Sequence, residues 1–223
     1  IEFKYLSKHM EEGYPGNMQA SVLYSLTDEN EIVIKYTAKS DIPTFVNLTN
    51  HSFFNLNGEG QGNVLNHMLL INSDKYTPID NEHIPLGYIE NVHNKPFDFT
   101  SQRTIGSGVL SDNIQIRTGK GYNHNYITKS LVEKKSMPDV IIRSPLTGII
   151  MELYTDQPGI QFYSCGFFDG RDTGKSGKPY TAYSAFCLEA QKFPDAPNQK
   201  LFRDNPIYPG EIYSQKTSYR FLV

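Results

Sequence analysis

The sequence predicts an all-β protein: an antiparallel β-sandwich with little helix, in one domain over residues 1–223. Three observations predict it. Apolar residues recur at every second position, the period of a half-buried strand. Turn-forming strings separate these segments. No stretch carries the apolar stripe of an amphipathic helix of ordinary length.

The elements follow in order. "IEFKYLS" at the start already reads as a strand. Residues 19–26 and 31–38 alternate on either side of the turn "TDEN" and make a hairpin. Residues 67–73 are a further strand. Residues 107–113 are the one segment that suits a short helix. Residues 139–144 and 149–155 flank "PLTG", where Pro145 and Gly148 punctuate a second hairpin. After the turn "DQPG", residues 160–166 read as a strand that runs into a glycine-rich loop at 166–177. Residues 183–191 and 217–223 complete the set. The stretches 55–66 and 166–179 read as loops within one domain, and no repeat or linker divides the chain.

Composition bounds the function. A net charge of −3 gives no basic footprint for nucleic acid. No apolar run approaches a membrane span. Cys165 and Cys187 are the only cysteines, too few for a disulfide framework and not enough to fix the redox compartment. The first residue is Ile1 rather than Met, and no signal-like stretch follows it, so the chain reads as a fragment or a processed product.

Four segments hold candidate site residues. "VNLTNHSFFNLNG" (46–58) sets four asparagines and His51 between extended flanks. It is either an Asn-rich turn or bulge, or a site in which Asn47, Asn50 and Ser52 hold the hydrogen-bonding partners of His51. In "YSAFCLEAQ" (183–191) alternation puts Ala185, Cys187, Glu189 and Gln191 on one face. Glu189 is then either an exposed strand carboxylate or a carboxylate facing a cleft. In "GIQFYSCG" (159–166) Gln161 and Tyr163 share a face and suit a polar ligand or a solvated surface. "GKGYNHNYI" (119–127) reads by itself as an Asn-rich turn around Asn123. His9, His67, His83 and His93 lack metal-ligand spacing, and there is no nucleophile elbow, phosphate loop or Cys-x-x-Cys. One His, one Glu, several amides and many aromatic rings on a β scaffold are what a carbohydrate needs.

Six strings carry a resemblance: "EEGYPGN", "VNLTNHSFFNLNG", "GYNHNYI", "YTDQPGIQFYS", "FCLEAQKFPDAPNQ" and "PGEIYSQKTSYRF", in this order from Glu11 to Phe221. Together they resemble the aldose 1-epimerases, or galactose mutarotases. The resemblance implies a β-sandwich that interconverts the α and β anomers of aldohexoses such as galactose and glucose. It implies that His51 of "NHS" is the general acid and Glu189 of "CLE" the general base. The substrate-binding set would be His51, Ser52, Phe53, Asn123, Gln161 and Glu189. The chain departs from the family at Asn123, where Asp is usual, and at Phe53, where Tyr is usual. It also lacks an earlier region that carries an Asn-Arg pair and another His, so the domain is expected to be without its N-terminal portion.

The implied chemistry needs no metal or redox cofactor. The ring oxygen of a pyranose takes a proton as the anomeric hydroxyl loses one, which calls for an acid and a base on opposite sides of the C1–O5 unit. An imidazole can carry a proton near neutral pH. The alternative is a carbohydrate-binding or degenerate domain of the same fold, which would leave anomeric exchange at the solvent rate. A glycoside hydrolase would need a second carboxylate beside Glu189. The expected partner is a monosaccharide, with neither nucleic acid nor membrane. A sandwich without its early strands would leave open edges, so the chain is expected to form homo-oligomers, which light scattering checks.

Overall fold

A computed structural model describes residues 1–129, 137–202 and 204–223. The strands are β1 (Glu2–Ser7), β2 (Met18–Leu26), β3 (Glu31–Ser40), β4 (Met68–Ile71), β5 (Lys75–Thr77), β6 (Glu90–Asn91) and β7 (Arg103–Thr104). Two short helices follow, α1 (Gly106–Val109) and α2 (Ile114–Thr118). Then come β8 (Asn123–Ile127), β9 (Val140–Arg143), β10 (Ile150–Thr155), β11 (Gly159–Tyr163), β12 (Asp169–Thr173), β13 (Pro179–Thr181), β14 (Cys187–Gln191) and β15 (Tyr213–Leu222).

Two antiparallel sheets carry the fold. The larger runs β1-β2-β3-β15-β10-β9-β4-β7 and the smaller β14-β11-β8-β5-β6. One apolar core joins them. Ile34, Tyr36, Met151, Leu153 and Tyr219 come from the larger sheet, and Tyr76, Tyr126, Ile160, Phe162, Leu188 and Ala190 from the smaller. The aromatic content is spent here: Tyr36, Tyr76, Tyr122, Tyr126 and Tyr219 are among the largest fully buried side chains. A buried phenol needs a partner for its hydroxyl. The Tyr219 hydroxyl finds one in the opposite sheet, donating to the Leu188 carbonyl at 2.6 Å.

The hairpins expected from alternation are present. β2 pairs with β3 from Met18–Ser40 to Leu26–Ile32, and β9 with β10 across the Pro145–Gly148 turn. β15 then inserts between β3 and β10, a connection that local turn signals cannot encode. β1 sits at the edge of the larger sheet, with Phe3 and Tyr5 exposed. No described helix is long and apolar enough to cross a membrane.

Three expectations are corrected. Residues 123–127 are not a turn but the central strand of the smaller sheet, because β11 and β5 pair with their backbone on either side. Buried His124 takes the Asn123 N–H on Nδ1 at 3.1 Å and reaches Gln115 Oε1 from Nε2, also at 3.1 Å. The loop at 166–177 is not wholly irregular, since β12 and β13 pair within and beyond it as a separate ribbon. The short helix expected at 107–113 is met only at its start: α1 ends at Val109, and α2 begins just past the expected segment at Ile114. Asn113 caps α2 by accepting the Gln115 N–H at 2.9 Å.

Candidate active site

The smaller sheet presents a polar array on the face turned away from the shared core. Side chains alternate along each strand, and register aligns them across strands. Asn125 on β8, Gln161 on β11 and Glu189 on β14 stand in one cross-strand row. Asn123, Tyr163 and Cys187 form the next. On the opposite face of β11 and β14, Ile160, Phe162, Leu188 and Ala190 belong to the core. Strand periodicity therefore puts both side chains on this face, and register makes Gln161 and Glu189 neighbours.

His51 reaches this array by a different device. The segment around it is not the regular strand its flanks suggest. It has only single bridges, Thr44 with Ile207 and Phe54 with Phe186. Side chains replace the missing ladder. Asn47 accepts the Lys192 N–H at 2.9 Å and donates to the Lys192 carbonyl at 3.2 Å. The Thr49 hydroxyl donates to the Ala190 carbonyl at 2.9 Å. The segment thus lies antiparallel to β14, and its register slips by one residue between Thr49 and Phe54. His51 falls inside that slip, where an extra residue redirects a side chain.

The expected role of the asparagines is corrected accordingly. Asn47 and Asn50 do not hold His51. Asn50 is buried and donates to the hydroxyls of Tyr219 and Tyr36, at 3.1 and 3.3 Å, which ties the segment to the larger sheet. Asn55 donates to the Ser184 carbonyl at 3.0 Å and closes the other end. The string is rich in Asn because amide side chains do the work of backbone pairing.

His51 Nε2 lies 3.3 Å from Glu189 Oε1, with the His side chain 53% exposed and the Glu side chain 10%. Burial pushes the Glu189 carboxyl above the ordinary carboxylate range, and the His51 ring pulls it partly back. Phe53 is exposed and lies against the His51 ring, centroids 4.8 Å apart, and against the Phe168 ring at 5.4 Å. Ser52 is half-buried between them in sequence. Gln161 Nε2 donates to Asn123 Oδ1 at 2.9 Å. This leaves Gln161 Oε1 as an acceptor and the Asn123 amide as a donor for a polar ligand. Five of the six expected residues, His51, Phe53, Asn123, Gln161 and Glu189, fall on or directly over one face.

Two further residues share the face. Tyr163 stands edge-on to His51 at 6.4 Å, and burial pushes its phenol up to about 12. Asn125 is 1% exposed, and neither side-chain polar atom has a protein partner. Gly159 makes room for it, since a Cβ there would stand 2.3 Å from Asn125 Oδ1. The repeat at positions 123 and 125 was the available signal, had the segment been read as a strand. Cys165 and Cys187 are both free and buried, and the hydrogen bond with Cys165, together with burial, pushes the Cys187 thiol up.

The smaller sheet of this β-sandwich thus bears amides, aromatic rings and an imidazole–carboxylate pair, the groups of an acid/base site. The chain belongs to the aldose 1-epimerase family, whose model matches residues 1–220. It is 41% identical to rat galactose mutarotase over all 223 residues, covering 63% of that protein. It is 37% identical to the aldose 1-epimerase of Escherichia coli K12, covering 64% of it. The chain thus spans less than two thirds of the length of the relatives it matches. Among solved structures, a GalM/aldose epimerase homologue from C. elegans superposes with a TM-score of 0.85 at 27% identity, over 100% of this chain and 65% of that one. Galactose 1-epimerase from Lactobacillus acidophilus NCFM gives 0.83 at 25% identity, over 99% and 62%.

Proposed function

We propose that the protein interconverts the α and β anomers of an aldohexose, galactose or glucose, by acid/base ring opening and closure. The observation that carries this reading is the 3.3 Å approach of His51 Nε2 to Glu189 Oε1 on a polar face. The ring oxygen and the anomeric oxygen are both bonded to C1, so they are close neighbours. His51 and Glu189 stand side by side rather than on opposite sides of the C1–O5 unit as the sequence led us to expect, and two adjacent oxygens suit that arrangement. Protonated His51 delivers its proton to O5 while Glu189 takes the proton of the anomeric hydroxyl. The C1–O5 bond breaks and leaves the open aldehyde. Rotation about C1–C2 presents the other carbonyl face, and the two transfers reverse as the ring closes. Burial makes the Glu189 carboxylate a stronger base than one in water. Half-exposed His51 is the partner that moves aside for the sugar, while Phe53 offers a ring for its apolar face. No step calls on a cofactor.

The test is polarimetry on freshly dissolved α-galactose and α-glucose. His51→Asn keeps a hydrogen-bonding group but cannot relay the proton. It is expected to slow mutarotation by about 100- to 10,000-fold, the usual worth of a positioned acid or base. A rate within a factor of three of the parent would remove His51 from the mechanism.

We further propose that Asn123, in contact with Gln161, sets sugar affinity. Asn123→Asp would still accept from Gln161 Nε2 and would add a charged acceptor for a sugar hydroxyl. Bonds to charged groups exceed neutral ones by roughly 1 kcal/mol, so half-saturation should fall about fivefold. An unchanged or higher value for both hexoses would assign the position another role.

A further inference from the structure

The imidazole nitrogen of His51, Sγ of Cys187 and a carboxylate oxygen of Glu189 all lie within 4.8 Å of one another. Two of these residues leave the same face of β14, one turn of the pleat apart, and the slipped segment brings the third over them. Acid/base chemistry uses His51 and Glu189 but gives the thiol no task.

From this geometry we propose that His51, Cys187 and Glu189 bind Zn2+, and that the ion switches off the acid/base pair. The inhibitory half rests on the epimerase reading above; the binding half does not. Ligand atoms about 2.0–2.3 Å from a tetrahedral zinc stand roughly 3.3–3.8 Å from one another. The His51–Glu189 pair already meets that spacing at 3.3 Å. The other two pairs lie within 4.8 Å, so binding draws the three groups together by up to about an ångström. The donor set is thiolate, imidazole and carboxylate, which suits Zn2+ and not Mg2+ or Ca2+. One thiolate and one carboxylate also balance the charge of the ion. On binding, the S–H bond breaks, the S–Zn bond forms and the thiol proton leaves to solvent, with no change of oxidation state. Three protein ligands leave the fourth position to water. The bound ion takes the His51 and Glu189 lone pairs that proton transfer needs. No short-interval motif could reveal this site, because its ligands come from segments far apart in sequence.

The probes are Co2+, for its spectrum, and Zn2+, for its effect on rate. Co2+ is expected to bind once per chain with thiolate-to-cobalt charge-transfer absorption. Cys187→Ser should abolish that absorption. His51→Asn, a change at a half-exposed side chain that spares the fold, should weaken Co2+ binding by more than about tenfold. In polarimetry, Zn2+ should slow mutarotation, a chelator should restore it, and Cys187→Ser should need at least about tenfold more Zn2+ for the same inhibition. No cobalt–sulfur absorption in an active protein overturns the site, as does absorption that survives in Cys187→Ser. Undiminished mutarotation at saturating Zn2+ overturns the inhibition. A protein that shows the absorption but never mutarotates supports the site and counts against the acid/base reading, so the two failures are distinguishable.

Discussion

Replacing Glu189 by Gln is expected to abolish mutarotation and, at neutral pH, to stabilise the fold. The loss of rate follows from removing the base and should be about 100- to 10,000-fold. The gain in stability follows from burial. Glu189 stands in a nearly buried position beside His51, and its carboxyl is raised by desolvation, with His51 opposing. A carboxyl raised in the folded state binds more protons there than in the unfolded chain. Stability therefore falls as pH rises from the ordinary carboxylate range through the raised value. At pH 7 the folded protein carries a charge that burial disfavours, and Gln carries none. Relieving such a site is worth about 1 kcal/mol, or roughly 2–4 °C in Tm for a chain of this size. Below the ordinary carboxylate range both side chains are neutral, and the difference should vanish. Thermal melts of both proteins at acid and neutral pH, with polarimetry on the same samples, check this. A variant that is less stable at pH 7 would mean that the carboxylate holds the site together rather than straining it.

How much of this was legible in the sequence depends on where each signal lives. Period-two alternation in residues 19–26, 31–38 and 149–155 is local, and the strands lie where it places them. Alternation also put Glu189 with Cys187 and Gln161 with Tyr163, and register did the rest. What was not legible is whatever depends on partners far along the chain. Asn and Gly ordinarily mark turns, yet residues 123–127 form a central strand, because His124 finds Gln115 and Gly159 leaves room for Asn125. The Asn-rich string at 46–58 carried a real site signal, but its asparagines act on Lys192, Tyr36 and Tyr219 rather than on His51. Local sequence marks the need for a polar contact and does not name the partner. Short strands such as β6 and β7 have no periodicity to read. They exist because the neighbouring edge has backbone groups to satisfy.

Acid should unfold the protein from within its core, well before its surface carboxylates are exhausted. His67 and His124 are both fully buried. Burial lowers His67 to about 4 and His124 to about 3, the latter helped by repulsion from the His83 ring. Each is held neutral by a bond that needs a lone pair: His67 Nε2 accepts the Leu56 N–H at 3.2 Å, and His124 Nδ1 the Asn123 N–H. In the unfolded chain a histidine titrates at about 6.5. Between that value and the folded ones the unfolded state binds more protons, so stability is fully present above about 6.5 and is lost as pH falls. Each histidine contributes up to about 1.4 kcal/mol per pH unit inside the window. Two of them acting from about 6.5 down to about 4 amount to several kcal/mol, against a total stability on the order of 5–15 kcal/mol. Glu189 opposes the trend from the ordinary carboxylate range up through its raised value, and it is one group against two. Urea titrations at intervals from pH 7.5 to 4.5 should therefore show stability falling steeply below about pH 6. His67→Asn and His124→Asn should each be less stable at pH 7.5, for lost packing, yet lose less between there and pH 5. The double variant should be nearly flat across that interval. A double variant that keeps the parental slope would show that the acid sensitivity arises elsewhere.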